Sequence, residues 1–182
     1  LELSIGLMRN IVVVPYDPNW SDRFKSESCQ ISAIFRDVFV EIHHVGSTSV
    51  PGLRAKPIID MLLLVTNIWE VDRYNDEMIT LGYEPKGEFG ISGRRFFVKG
   101  GDASRTHHLH TYELDNPEVR KHIDFRDFLI HHPEEAQRYG DLKNELALLY
   151  RNDIESYMAG KAPLIKQLLQ KAEAWRKFNS DQ

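Results

Sequence analysis

A chain of 182 residues with 42% hydrophobic and 27% charged side chains has the size and composition of one folded domain able to bury a core. Its net charge of −4 excludes a basic footprint for nucleic acid or anionic membrane as the main driving force, and leaves phosphate contact to local basic clusters. The lone cysteine, Cys29, excludes an intramolecular disulfide framework and is expected as a packed or half-exposed thiol.

No stretch reaches the ~18 apolar residues of a membrane span. The first ten residues, Leu1 to Asn10, lack a basic segment followed by a long apolar one, so a cytoplasmic chain is expected. Ile11–Val14 is a β-branched run and predicts a strand. Asp17-Pro18 then offers a helix cap and a first-turn proline. Trp20, Phe24, Ile31, Ile34 and Phe35 follow at helical spacing, which predicts an amphipathic helix over 18–36 with its aromatic residues in the core. Val38–Val45 predicts a second strand, ending at Gly46-Ser47-Thr48-Ser49 and Pro51-Gly52. Ile58–Val65 is apolar on both faces except at Asp60, the pattern of a central strand in a covered sheet.

Asn67 and Glu70 have capping-box spacing, with Asn in place of Ser or Thr. They predict a helix over 68–81 that Gly82 ends. Arg94–Lys99 and Thr106–Glu113 predict two strands joined by a turn containing Gly100-Gly101-Asp102. Beyond Asn116-Pro117 the pattern is helical to the end. A second helix of this part starts near His132-Pro133, with Ala136, Tyr139, Leu142, Leu146 and Leu149 on its apolar face. A third covers 162–178, with Leu164, Ile165, Leu168, Leu169 and Trp175 on its own. No repeat, low-complexity segment or linker interrupts the chain. A single α+β domain over 11–178 is expected, a mixed β-sheet flanked by helices with a helical C-terminal third.

The chemistry concentrates in His44-Val45-Gly46-Ser47-Thr48-Ser49-Val50-Pro51-Gly52 and Lys56-Pro57-Ile58-Ile59-Asp60. A strand ending in Gly-Ser presents free backbone N–H groups, a close-approach glycine and a hydroxyl, all suited to phosphate. The plainer reading is a tight turn. Asp60 lies within an apolar strand, where a carboxylate costs several kcal/mol unless its charge is used or paired. Behind a Gly-Ser turn it could hold a divalent metal against phosphate oxygens; a structural ion pair is the alternative. On the later strand, alternation places Thr106, His108, His110 and Tyr112 on one face. His108 and His110 are candidates for catalysis, and His110 with Asp60 for metal ligation, or else a hydrogen-bonded strand pair. Lys56, Arg95 and Lys99 are candidate phosphate contacts; the alternative is edge protection. Arg126 could reach the site or pair with Asp124 or Asp127.

These residues resemble the signature of the GrpB (UPF0157) family, Gly-Ser-Thr-(Ala/Ser)-Val-Pro-Gly followed by Lys-Pro-Ile-Ile-Asp. The similarity extends to Pro15-Tyr16-Asp17-Pro18-Asn19-Trp20, Gly93-Arg94-Arg95-Phe96-Phe97, His107-His108-Leu109-His110 and Phe125-Arg126-Asp127-Phe128-Leu129. The resemblance implies a nucleotidyltransferase-like fold and a protein that binds a nucleotide or other phosphorylated small molecule. It implies a divalent metal, Mg²⁺ or Mn²⁺ before Zn²⁺, and a nucleoside triphosphate as substrate of nucleotidyl transfer. Fusion of family members to dephospho-CoA kinase domains suggests a link to CoA biosynthesis, by analogy alone. Active transferases of this superfamily place two carboxylates two residues apart on the strand; here Leu62 and Ile58 flank Asp60. That departure keeps open a non-catalytic phosphate-binding module and a His/Asp metal enzyme of another class.

Overall fold

The computed structural model describes residues 10–101 and 104–180. The reading of residues 1–9 as no leader, and Asp102 of the predicted turn, lie outside the described residues. The first helix, α1, runs Asn19–Ile34. Asp17 Oδ1 accepts from the Asn19 backbone N–H at 2.9 Å, which satisfies one orphan donor of the first turn. Trp20, Ile31 and the flanking Phe35 are buried, as their spacing predicts. Each such side chain contributes roughly 1.5–3 kcal/mol by leaving water. Cys29 is exposed on this helix, on the face opposite the core stripe and not half-packed.

Five strands follow: β1 (Phe39–Val45), β2 (Ile59–Val65), β3 (Tyr83–Pro85), β4 (Arg95–Lys99) and β5 (His107–Glu113). The sheet order is β1-β2-β5-β4-β3. β2 pairs antiparallel with β1 and parallel with β5, and β4 pairs antiparallel with β5 and β3. This is the mixed sheet expected. Central β2 sends Ile59, Met61, Leu63 and Val65 into one core with α1 residues, and Leu62 and Leu64 into another with Val45, Tyr112 and Val119. Its near-continuous apolar run follows from burial on both faces.

Helix α2 (Asn75–Thr80) precedes β3, and α3 (Pro117–His131), α4 (Pro133–Leu149) and α5 (Ile154–Ser180) complete the chain. The last three form the helical C-terminal third and share a core through Phe128, Leu129, Tyr139, Leu164 and Leu168. Among the described residues no helix is long and apolar enough to cross a membrane.

Four local expectations need correction. Ile11–Val14 is no strand: one bridge joins Val14 to Ala55, and Pro15, lacking an N–H, cannot extend it. The predicted helix over 68–81 is a 3-10 segment, Ile68–Tyr74, before α2 begins. Ile68, Val71 and Tyr74 are all buried, and apolar residues three apart share a face in the tighter winding. Asn67 caps by accepting from the Trp69 N–H at 2.9 Å, while Glu70 pairs with Arg73. The three-residue strand β3 was not expected. Helix α5 starts at Ile154 and runs through Pro163, started by Asp153, which accepts from the Ser156 N–H at 3.0 Å.

Candidate functional site

The parallel pairing of β2 with β5 sets Asp60 beside His108, and the antiparallel pairing with β1 sets Val45 across from Asp60. Gly46, one residue past β1, therefore turns over the carboxylate. Its φ of +69° is open to glycine, and a Cβ there would stand 2.7 Å from Asp60 Oδ2. The Gly-Ser turn is a fitted cover for Asp60. Ser47–Ser49 then forms a single 3-10 turn, with Thr48 buried and 2.9 Å from His44 Nε2.

His108 Nδ1 lies 2.9 Å from Asp60 Oδ1 and His110 Nε2 lies 3.9 Å from it. Burial opposes ionisation of Asp60. The hydrogen bonds and charges of the two histidines outweigh it and hold the carboxyl well below the usual range. With Nδ1–H donating to Asp60, the His108 Nε2 lone pair remains as an acceptor; that atom is buried and has no hydrogen-bond partner. His110 packs against His122, ring centroids 4.9 Å apart. Burial, then the His110 charge, pushes His122 down to about 4.

Beside Asp60 lies a cavity of about 260 Å³ lined by Ser47, Lys56, Asp60, Tyr139, Lys143 and Lys161, among others. Lys143 Nζ donates to Ser47 Oγ at 2.8 Å and lies 4.5 Å from the Tyr139 ring centroid. Lys161 Nζ lies 4.5 Å and Lys56 Nζ 5.5 Å from the Tyr157 ring centroid. Lys143 and Lys161 are only 3% and 7% exposed. Burial pushes the Lys143 ammonium down to about 7, with the charges of Lys161 and Lys56 acting in the same direction and Asp60 opposing. Lys161 is pushed down to about 8, by burial and then by Lys56. A larger groove, about 710 Å³ between α3 and α5 and lined by Met158, Ile165 and Leu169 among others, has no such convergence on the Gly-Ser turn.

Of the predicted residues, Gly46, Ser47, Lys56, Asp60, His108 and His110 are brought together. Arg95 and Lys99 are not. The register pairs Phe96 with His110 and Val98 with His108, so Arg95 and Lys99 point to the opposite face of the sheet. There Arg95 Nε pairs with Asp72 at 2.7 Å and Lys99 with Glu27 at 2.6 Å. They are corrected from phosphate contacts to structural ion pairs. Arg126 pairs with Asp127 at 2.7 Å, the second of its two expected roles, and donates to the His44 carbonyl at 3.2 Å; it does not line the cavity.

Sequence reasoning missed Lys143 and Lys161. Their signal was a repeated Tyr-x-x-x-Lys spacing, Tyr139/Lys143 and Tyr157/Lys161, which sets a lysine one turn after a tyrosine on the buried face of each helix. Tyr139 falls on the expected apolar face of its helix, and Tyr157 lies outside the expected bounds of the last one.

The donor set does not fit the implied metal. Leu62, at the position of a second carboxylate, is fully buried in an apolar cluster. The His108 nitrogen nearest Asp60 is already committed to it. Among the described residues no group of three or more His, Cys, Asp or Glu side chains is placed to hold a metal ion.

The chain is 43% identical over 169 residues to the UPF0157 protein YqkA of Bacillus subtilis (strain 168), covering 93% of this chain and 49% of that protein. The chain thus spans about half the length of that relative. To the Glutamate-rich protein GrpB of Alkalihalophilus pseudofirmus it is 32% identical over 163 residues, covering 87% of this chain and 94% of that one. The crystal structure of conserved protein GrpB from Enterococcus faecalis is similar with a TM-score of 0.86 and 41% identity, over 90% of this chain and 99% of that one. The Cid1 poly(U) polymerase with Mg 3′-dATP bound has a TM-score of 0.50 at 13% identity, over 72% of this chain and 41% of that one. That likeness concerns the fold alone, an α+β nucleotidyltransferase-like fold. With residues 10–171 matching the family described as GrpB protein, the chain belongs to the GrpB family.

Proposed function

We propose that this chain binds a phosphorylated small molecule, a nucleotide first among them, with the phosphates between the Gly46-Ser47 turn and the lysines of the cavity. The supporting observation is that Lys143, nearly fully buried, hydrogen-bonds Ser47 inside a cavity that Lys56 and Lys161 also line. Buried cations collected at a cleft beside a perturbed carboxylate are the physical mark of a site for anions.

Nucleotidyl transfer is the activity that the fold likeness offers. In it an acceptor hydroxyl in the cavity would donate a hydrogen bond to the Asp60 carboxylate that lines it and release its proton to solvent as its oxygen attacks. The acceptor oxygen would bond to the α-phosphorus, and the bond to the departing diphosphate would break. No step is assigned to a metal, because the donor set does not fit one.

A panel of nucleoside triphosphates, sugar phosphates and CoA precursors, read by thermal shift with product analysis, tests this. A ligand at a hundred times its dissociation constant adds about 2.7 kcal/mol. Stabilisation with conversion supports transfer. Stabilisation without product supports the second reading, a non-catalytic phosphate-binding module, which Leu62 in place of a second carboxylate favours. The absence of any shift across the panel sinks both.

A further inference from the structure

We propose that Lys143, Lys161 and Lys56 supply the phosphate neutralisation expected of a divalent metal, so that the cavity takes a diphosphate or longer polyphosphate group without a metal ion. This deepens the phosphate-binding reading above and rests on it.

The charge inventory comes first. Among the residues lining this cavity, Lys56, Lys143 and Lys161 are cationic and Asp60 is the one acidic side chain. Asp60 is held ionised by His108 and His110, so its charge is shared with the histidine side of the site. A phosphate monoester carries up to about two negative charges at neutral pH on one phosphorus, whereas a diphosphate or triphosphate end spreads its charge over two or three, as the lysines are spread over α4, α5 and the segment before β2. The cavity volume of about 260 Å³ admits such a group and little more, so a nucleoside attached to it would extend outward.

The geometry comes second. Lys143 and Lys161 sit on different helices, each held against a tyrosine ring one turn earlier. The ammonium groups repel one another: the charges of Lys161 and Lys56 lower the proton affinity of Lys143, and that of Lys56 lowers Lys161, each after burial. A fold keeps such an arrangement at a cost in stability, and a multiply charged anion relieves it. Lysine binds phosphate as a point charge and needs no particular coordination number. The carboxylate pair that a metal would need is replaced on β2 by Asp60 and the apolar Leu62, and Leu62 faces the core. Charge complementarity is thus supplied from α4 and α5, not from the strand.

Titration calorimetry of the full chain with inorganic pyrophosphate and tripolyphosphate, in chelator and then in excess Mg²⁺, tests the proposal. Binding is expected in chelator, tighter for these than for orthophosphate. Lys161→Met and Lys143→Met are each expected to weaken it about tenfold or more, with circular dichroism and cooperative melting confirming that both variants fold. Lys161→Arg, which keeps the charge, should recover part of the loss even if Lys143→Met does not fold. Binding that appears only with Mg²⁺, or that survives both Met substitutions in folded protein, overturns the lysine assignment while leaving phosphate binding intact. If neither these anions nor any nucleotide binds with or without metal, the functional reading beneath it fails as well.

Discussion

Lys143 Nζ on α4 donates to Ser47 Oγ at 2.8 Å across 96 residues of sequence. A lysine that is 3% exposed has given up its hydration for a hydroxyl and an aromatic face, which is poor compensation for a full charge. The same residue should therefore weaken the fold and strengthen ligand binding, and the two effects can be separated.

Replacing it by an unbranched apolar side chain of similar length makes the separation. Lys143→Met should stabilise the chain at neutral pH by about 1–3 kcal/mol, since burying a hydrophobe in place of an ion removes a desolvation cost. Phosphate binding should fall in the same variant. Chemical denaturation with a parallel binding titration checks both; a less stable variant with unchanged binding would make Lys143 a structural residue.

The pH dependence of stability follows from the same burial. Lys143 is pushed from 10.5 down to about 7 in the folded chain, and Lys161 from 10.5 down to about 8. Between those values the unfolded chain holds more protons than the folded one, so stability rises with pH. The penalty is fully present below about pH 7 and is relieved on the way to about pH 10, by an amount on the order of a few kcal/mol. Tyr157, raised to about 12, acts in the opposite sense above that window. Urea denaturation at about pH 7 and about pH 9 should show the rise, and Lys143→Met should flatten it.

Asp60 acts in the acid range with a slope of the same sign. Its folded proton affinity is lowered by His108 and His110, so its ionised form stabilises the fold above the unfolded value of 3.8. That contribution is lost as pH falls below it. Asp60→Asn should remove this part of the acid sensitivity while leaving a folded chain at neutral pH, and should abolish any product formation. Acid titration followed by far-ultraviolet circular dichroism, beside the product assay, checks the two halves.

Gly46→Ala tests the cover over the carboxylate. A methyl group would stand 2.7 Å from Asp60 Oδ2 at a φ of +69°, so both the contact and the backbone are strained. A loss of about 1–3 kcal/mol is expected, with phosphate binding weakened as the turn shifts. Unchanged melting would mean that the turn relaxes freely.

On the far face of the sheet, Arg95→Met should leave phosphate affinity unchanged. It should cost about 1 kcal/mol or less of stability, because Asp72, whose carboxylate accepts at 2.7 and 2.9 Å from the guanidinium, is half exposed and regains water. Weaker phosphate binding in that variant would return Arg95 to the site.

The contrast between Arg95 and Lys143 shows how much of the site could be read in advance. Period-two alternation correctly put His108 and His110 on one face of β5, and the Gly-Ser turn and Asp60 stood out because a carboxylate interrupted an apolar strand. The face of β4 could not be read the same way. It depends on the hairpin register that pairs Val98 with His108, and the turn residues alone do not fix that register. The lysines of α4 and α5 were hidden for a different reason. On a helix wheel a buried lysine looks like a breach in an apolar stripe, and only the tertiary approach of both helices to Ser47 turns it into a site. In the fold, strands β1, β2, β4 and β5 and the three C-terminal helices follow from periodicity, whereas the 3-10 winding of Ile68–Tyr74 depends on which face the surrounding core accepts.

The parallel pairing of β2 with β5 has a consequence for how the chain folds. Asp60 and His108 are 48 residues apart, and their contact closes a crossover containing α2, β3 and β4. Loop closure of that length is an entropic cost met before the pairing returns anything, so sheets joined this way form late. The Asp60–His108 contact can therefore exist only once the central sheet is assembled, and a partly folded chain that holds its helices lacks the candidate site. A substitution in the crossover that slows closure of the sheet should delay the recovery of ligand binding after refolding by as much as it delays the sheet itself.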